Sequence, residues 1–392
     1  MEQEPRIARH ELLSIFSGVF LMSSLSWGGL ALIAQLQQRF VQKQQRLSQD
    51  EFNCLLSLAW SLPGPVAGNL AVMSGYAMAG ARGAWAAGLA SYLPFFISMT
   101  ALAYAYLHGL QAVAPAMMRP LFLAVLLALI GVTCFRQVKP IVRNPRLLSV
   151  SLASLTALLL FPQTLTFVLV LAVSSLVGVM SAVEPASRNI KWSWPNLGLR
   201  SFGMLLVVSL AVGAFVFIEP GVSVLSDLLL YAGASLALFG GGFSAVPVLK
   251  TVFLRPDDKA MLDAFNTAFV FSSISPGPLL NVVPFLGYVQ AGLVWAAASS
   301  FAFFFLPGSI AVAAYRYRVK LLGNVVFESV LRYLGACSVA FIVFAFVNIA
   351  KVTEPGVATV LAFVLSVVFL TRYQQPVWRL YLGAALLAVA LG

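Results

Sequence analysis

The chain has 392 residues, of which 60% are hydrophobic and 9% charged. A soluble globule of that length needs far more polar surface, whereas apolar runs of about 17 to 25 residues with short gaps are the lengths that cross a bilayer. The net charge of +11 comes from Lys and Arg in short loops rather than along one amphipathic face, a pattern of membrane orientation and not of nucleic-acid binding.

In chain order, the first apolar run covers 11–36 and contains Trp27-Gly28-Gly29-Leu30. It is longer than a signal-peptide core and no small-residue cleavage site follows it, so it is read as retained. "SQDE" at 48–51 matches a capping box. It opens a run over 50–80 that is interrupted by "SLPGPVAGN" at 61–69. Further runs lie at 84–107, 120–135, 147–161, 165–182 and 201–218. The rest are at 226–249, 260–290 (interrupted by "SISPGPLLN" at 273–281), 293–314, 328–349, 355–371 and 376–391. The expected fold is all-α and polytopic, with about 13 transmembrane segments if each interrupted run crosses once.

Basic loops orient these runs. Arg136, Lys139, Arg143 and Arg146 form one cluster, Arg188, Lys191 and Arg200 a second, Lys250, Arg255 and Lys259 a third, and Arg316, Arg318 and Lys320 a fourth. The excess of cationic residues on the cytoplasmic side places all four inside. Segment 260–290 then has to cross once, while Arg39, Lys43 and Arg46 fall outside, against the same rule.

The two interruptions belong to a longer repeat. "SWGG" at 26–29 answers "LFGG" at 238–241, "DEFN" at 50–53 answers "DAFN" at 263–266, and Gly75-Tyr76 answers Gly287-Tyr288. Trp85-Ala86-Ala87 answers Trp295-Ala296-Ala297, and Leu93-Pro94 answers Leu306-Pro307, all at offsets between 210 and 213. This order predicts a first copy over 1–183, a linker with one extra transmembrane segment over 184–225, and a second copy over 226–392. By parity the extra segment inverts the second copy, an organisation associated with alternating-access transport.

Proline removes an amide and clashes with the preceding turn, so Pro63, Pro65, Pro276 and Pro278 should split their segments into half-helices. Backbone exposed at that depth costs several kcal/mol per unsatisfied group, on the order of other apolar burials, unless protein or a polar cavity receives it. The half-helix N-termini offer the amides of Gly64, Val66 and Ala67, with Ser61 and Asn69 nearby. The second copy offers those of Gly277, Leu279 and Leu280, with Ser275 and Asn281. Such donors suit an oxyanion without a buried Lys or Arg. Gly28, Gly29, Gly240 and Gly241 supply close approach or further breaks. The plain alternative is that each Pro-Gly-Pro is a kink used for helix contacts.

These residues resemble the chromate transporter family, which carries a Gly-Gly motif late in its first helix and a Pro-Gly-Pro motif about 35 residues on, here most clearly over 14–108 and 226–320. The resemblance implies a fused, two-half carrier in the bacterial inner membrane that expels chromate, with sulfate as a similar ion, using the proton-motive force. It implies no cofactor, with the lipid bilayer and a small oxyanion as partners; a homodimer stays open. The family's first motif usually reads Phe-Gly-Gly-Pro, and this chain departs from it at Trp27 and Leu30, while Phe239-Gly240-Gly241 keeps it.

Other chemistry is sparse. Asp50 and Asp263 match in the repeat and are candidates for proton coupling, although a carboxylate in a first helical turn ordinarily serves the helix dipole. Cys54, Cys134 and Cys337 are single and widely separated, and His10 and His108 have no neighbouring ligands, so neither a disulfide framework nor a metal site is expected. An intramembrane hydrolase lacks a base for its serine. Passive channels and scramblases can also be built from broken helices; accumulation against a gradient separates them from a carrier.

Overall fold

A computed structural model describes residues 9–26, 29–110, 118–161, 164–186, 224–236, 238, 249, 253, 258–277, 281–321, 324–373 and 377–391. Four expected site residues, Gly28, Gly240, Gly241 and Pro278, lie outside these, as do the extra segment at 201–218 and most of the linker. The described chain is helical, with no β-strand element among the described residues, and is the all-α polytopic membrane protein expected. In order, α1 is Arg9–Leu25, α2 Gly29–Leu36 with a π-helical continuation Gln37–Lys43, α3 Gln49–Ser61 and α4 Val66–Ala105. Next come α5 Met118–Val142, α6 Pro145–Leu160, α7 Thr164–Ala186, α8 Val224–Leu236, α9 Lys259–Ile274 and α10 Val282–Arg316. The chain ends with α11 Val325–Val352, α12 Val357–Thr371 and α13 Val377–Leu391. Among the described residues four helices, within α4, α5, α10 and α11, are long and apolar enough to cross a bilayer.

Local signals set the boundaries. Ser48 caps α3 by accepting from the Glu51 amide at 3.1 Å, as the capping box requires. Asn144 caps α6, where Pro145 takes the first helical position and gives up no useful donor. Asp258 and Asn324 cap α9 and α11 in the same way.

Both interrupted runs turn back on themselves. Glu51, at the start of α3, accepts a hydrogen bond from the Tyr315 hydroxyl at 3.1 Å. Tyr76, one arm beyond the Pro-Gly-Pro, stacks edge-on against the same Tyr315 ring at 5.3 Å. One continuous crossing would hold Glu51 and Tyr76 roughly 37 Å apart. The run 50–80 is therefore a re-entrant hairpin, and so is 11–36, since Arg46 pairs with Glu11 and Arg39 lies against Gly18. In the second region, Asp227, Phe253, Asp258 and Gln290 line one cavity. The Tyr231 ring touches Phe253 at 4.9 Å, while its hydroxyl donates to Gln290 Oε1 at 2.5 Å. Runs 226–249 and 260–290 thus also leave by the end at which they enter. The single crossing expected for 260–290 is corrected here: each arm of about 13 residues reaches only about 20 Å, half of a membrane.

Two tight reversals then launch the arms that do cross. Ala79-Gly80 and Ala291-Gly292 interrupt α4 and α10, with φ of 56° at Gly80 and 76° at Gly292, a region that glycine adopts freely. Beyond them the long arms of α4 and α10 run in opposite directions and meet through Trp85 and Phe305, with ring centroids 5.5 Å apart, and Phe95 and Phe304, 5.1 Å apart. The arms of α1 and α4 are tied where Ser23 Oγ donates to the Ser91 carbonyl at 2.8 Å. α5, α6, α7, α11, α12 and α13 pack around Leu126, Leu334 and Phe341, in a core continuous with Met99 of α4, Phe265 of α9 and Phe285 of α10.

Hairpins of the first region open at the end that carries Arg46, Tyr315 and Arg316, and those of the second open at the other end, beside Tyr106. This removes the conflict over Arg39, Lys43 and Arg46, which share an end with the Arg316 cluster. Of the third basic cluster, Lys250 and Arg255 lie outside the described residues; Lys259 is corrected in exchange, since it opens α9 at the opposite end, next to Asp258. With the native cysteines removed, a single cysteine at Gln42 is expected to react with an impermeant maleimide from the same side as one at Tyr317. One at Asp258 should react from the other side. Labelling of intact cells against inverted vesicles reads this, and opposite sidedness of Gln42 and Tyr317 would undo the hairpin reading.

Candidate functional site

Halfway along the long arms, the hairpin tips meet and are tied crosswise. The Gly64 amide donates to the Leu238 carbonyl at 2.9 Å, and the Gly277 amide donates to the Ser26 carbonyl at 2.9 Å. Each Pro-Gly-Pro tip is thereby held by the residue that begins the other region's Gly-Gly motif. Equivalent positions do equivalent work, because Gly64 abuts Pro307 while Gly277 abuts Phe95, the residue after Pro94. These two glycine amides, which would otherwise stand bare at this depth, are satisfied within the protein.

This changes the expected use of several donors. The amides of Gly64 and Gly277 are engaged by the Leu238 and Ser26 carbonyls. Asn69 Nδ2 donates to the Pro63 carbonyl at 2.9 Å, and Asn281 Nδ2 donates to Ser275 Oγ at 2.7 Å and to the Pro276 carbonyl at 3.1 Å. Both asparagines brace their Pro-Gly-Pro turns. Ser61 Oγ donates back to the Ser57 carbonyl at 2.7 Å within its own helix. Pro65 stands at the N-cap of α4, its carbonyl accepting from the Asn69 amide at 2.9 Å, and Gly29 opens α2.

Free donors remain next to these turns. By position, the amides of Val66, Ala67 and Gly68 have no carbonyl a turn earlier in α4. Pro65, Ala67, Gly68 and Asn69 line a cavity of about 330 Å³ that also takes in Ser26, Gly277, Tyr92 and Ser300. Ser300 is 0% exposed, and its Oγ meets the Tyr92 phenol without a hydrogen bond of normal geometry. The remaining wall is aromatic, built from Trp85, Phe95, Phe301, Phe304 and Phe305. A helix N-terminus, an unpartnered buried hydroxyl and a dry wall together favour a small anion, because the low dielectric strengthens each donor.

Ser300 and Tyr92 escaped sequence reasoning. Serine and tyrosine are common in such helices, and only the fold aims them at the Pro-Gly-Pro turn. Asp50 is exposed in the first turn of α3, and Asp263 is exposed at the opposite end, lining a cavity of about 830 Å³ with Asp227 and Asp258. The two carboxylates thus face opposite mouths. Among the described residues no group of His, Cys, Asp or Glu could hold a metal.

A family profile described as "Chromate transporter" matches residues 13–179 and 227–389. An uncharacterized transporter of Methanocaldococcus jannaschii is 25% identical over 374 residues, covering 93% of this chain and 90% of that protein. A chromate transport protein of Cupriavidus metallidurans is 27% identical over 368 residues, covering 90% and 86%. One of Pseudomonas aeruginosa is 26% identical over 362 residues, covering 88% and 82%. No solved structure matches the chain.

Proposed function

The chain belongs to the chromate transporter family, and from that premise we propose that it is a secondary active transporter exporting chromate, or a similar divalent tetrahedral oxyanion such as sulfate, across the bacterial inner membrane. The proton-motive force drives it. Residues 1–183 and 226–392 act as two inverted copies joined by the 184–225 linker and its extra transmembrane segment. The observation that carries this reading is the crosswise pair of 2.9 Å bonds, Gly64 to Leu238 and Gly277 to Ser26. Two equivalent ties between hairpins that open at opposite ends make a barrier with two symmetric ways to open, as alternating access needs.

The oxyanion sits in the cavity at the first Pro-Gly-Pro, held by the amides of Val66 and Ala67 and by Ser300. As one tie opens, its glycine amide becomes a further donor, so that the anion replaces a carbonyl. Pro63, Pro65, Asn69, Pro276, Ser275 and Asn281 shape and brace these tips, and Gly28, Gly29, Gly240, Gly241 and Pro278 are the further substrate-binding residues that the repeated motifs propose. Asp50 and Asp263 are the first carboxylates to test as proton carriers.

Proteoliposomes test the reading directly. Chromate should accumulate against its gradient when a proton gradient is imposed, sulfate should compete, and a protonophore should abolish uptake. Correctly folded protein that equilibrates chromate without accumulating it is a passive channel. Ser300→Ala removes one charge-assisted hydrogen bond, worth about 1.5–3 kcal/mol. It should weaken chromate binding about tenfold or more while the melting temperature holds.

A further inference from the structure

One cation lies where a membrane protein seldom leaves one unpaired. Arg39 belongs to the π-helical stretch Gln37–Lys43 that forms the returning arm of the first hairpin. Its guanidinium lies over Gly18, where an added Cβ would come 2.7 Å from Cζ and 2.8 Å from Nη2. Gly18 is about 10 Å deeper than Glu11, the partner of Arg46 at the open end, and about 12 Å short of the Ser26 tip. Ile15, Val19, Leu36 and Phe40 around it are fully buried.

Three other arginines of this end have partners: Arg46 pairs with Glu11, Arg316 donates to the Tyr76 hydroxyl at 2.9 Å, and Arg318 donates to the Tyr315 carbonyl at 3.1 Å. Arg39 has neither an ion pair nor a hydrogen bond among the described residues, and its Nε is buried with no acceptor. A partly buried guanidinium without a partner is unfavourable, and an ionisable group at such depth marks a ligand pathway more often than a structural accident. Its planar fork of donors matches the edge of a tetrahedral oxyanion. The π-helical turn adds a residue per turn, a device that recurs at functional sites.

We infer that Arg39 binds a tetrahedral oxyanion partway between the open end of the first hairpins and their tips, as a staging site ahead of the Ser300 cavity. The inference rests on the transport reading for the identity of that anion. A phospholipid phosphate has the same chemistry, so two arms of one experiment separate the sources.

Wild-type protein, Arg39→Gln and Arg39→Lys are purified in a phosphate-free alkyl maltoside. The first arm titrates chromate and sulfate by calorimetry; the second titrates phosphatidylglycerol and reads the melting temperature. Arg39→Gln is expected to raise the chromate Kd at least tenfold, with Arg39→Lys in between because a point charge lacks the fork. A change in the lipid arm alone assigns the guanidinium to a lipid phosphate, and no change in either arm overturns the inference. Should Arg39→Gln fail to fold, Gly18→Ala displaces the guanidinium while keeping its charge and gives the same readouts. Failure of the transport reading looks different: wild-type proteoliposomes then carry no chromate, whatever the lipid arm shows.

Discussion

Gly64→Ala and Gly277→Ala should each abolish chromate uptake in proteoliposomes while leaving helix content in place. Gly64 has φ of 100° and Gly277 φ of 109°, beyond even the left-handed well that other residues occasionally visit. A side chain there is strained by about 1–3 kcal/mol. The space is also taken: a Cβ on Gly64 would come within 2.9 Å of Pro307 Cγ, and one on Gly277 would stand 2.8 Å from Phe95 Cβ. Overfilling of that kind adds about 1–3 kcal/mol. The tip must move, and with it goes the bond to Leu238 or Ser26. Uptake per folded molecule, normalised by size-exclusion chromatography, should fall at least tenfold for either variant. Adding Pro307→Gly to Gly64→Ala removes both Pro307 atoms that clash, Cβ and Cγ, but not the backbone strain, so the double variant should recover part of the stability. Full activity in Gly64→Ala alone would mean that the crosswise ties are incidental to transport.

The importance of these glycines was legible from the repetition of Pro-Gly-Pro; what they bond to was not. A sequence shows that a proline interrupts a helix, yet an arm of about 13 residues fits both a broken span and a hairpin. The choice depends on contacts such as Tyr315 with both Glu51 and Tyr76, which are far apart in the chain. One trace of the answer was present: Arg39, Lys43 and Arg46 violated the charge rule under the single-crossing scheme, and that violation was itself the sign of a hairpin. The same scheme put Lys259 on the wrong end, because it lies in the loop between two hairpins each read as a crossing; the second misreading cancels the first, so the Arg316 cluster kept its end. Asn69 and Asn281 were found by their place after each motif, but a donor that braces a turn and one that faces an anion look identical in sequence. Ser300 gave no signal at all, since what singles it out is its burial beside the cavity without a hydrogen bond of normal geometry.

The hairpin geometry itself stands or falls with Gly75 and Gly83. In a continuous helix these positions are two turns apart, roughly 12 Å, and alanine at either would be harmless. Across the Ala79-Gly80 reversal they face each other. A Cβ on Gly75 would come 2.7 Å from Ala87 Cβ and 2.8 Å from the Gly83 carbonyl carbon, and one on Gly83 would come 2.9 Å from the Gly75 carbonyl carbon. These obstacles are mostly main chain and cannot rotate away, so the two arms of α4 must separate. Such close approach is what small residues provide where helices meet in a membrane. Gly75→Val and Gly83→Val are therefore expected to cost about 1–3 kcal/mol or more each and to yield little monodisperse protein. Gly287→Ala should be milder, because the nearest atom it meets is the Ser299 hydroxyl, a side-chain group that can turn about one bond, rather than main chain. Gly335→Ala, with nothing within 4 Å of the new atom, should be neutral or slightly stabilising, as expected for alanine in a helix interior. That ranking, read from thermal melts of the purified variants, separates a folded-back α4 from a straight one: equal tolerance at Gly75, Gly83 and Gly335 would require the arms to lie apart, and the tips of the first region would then have no way to reach Leu238.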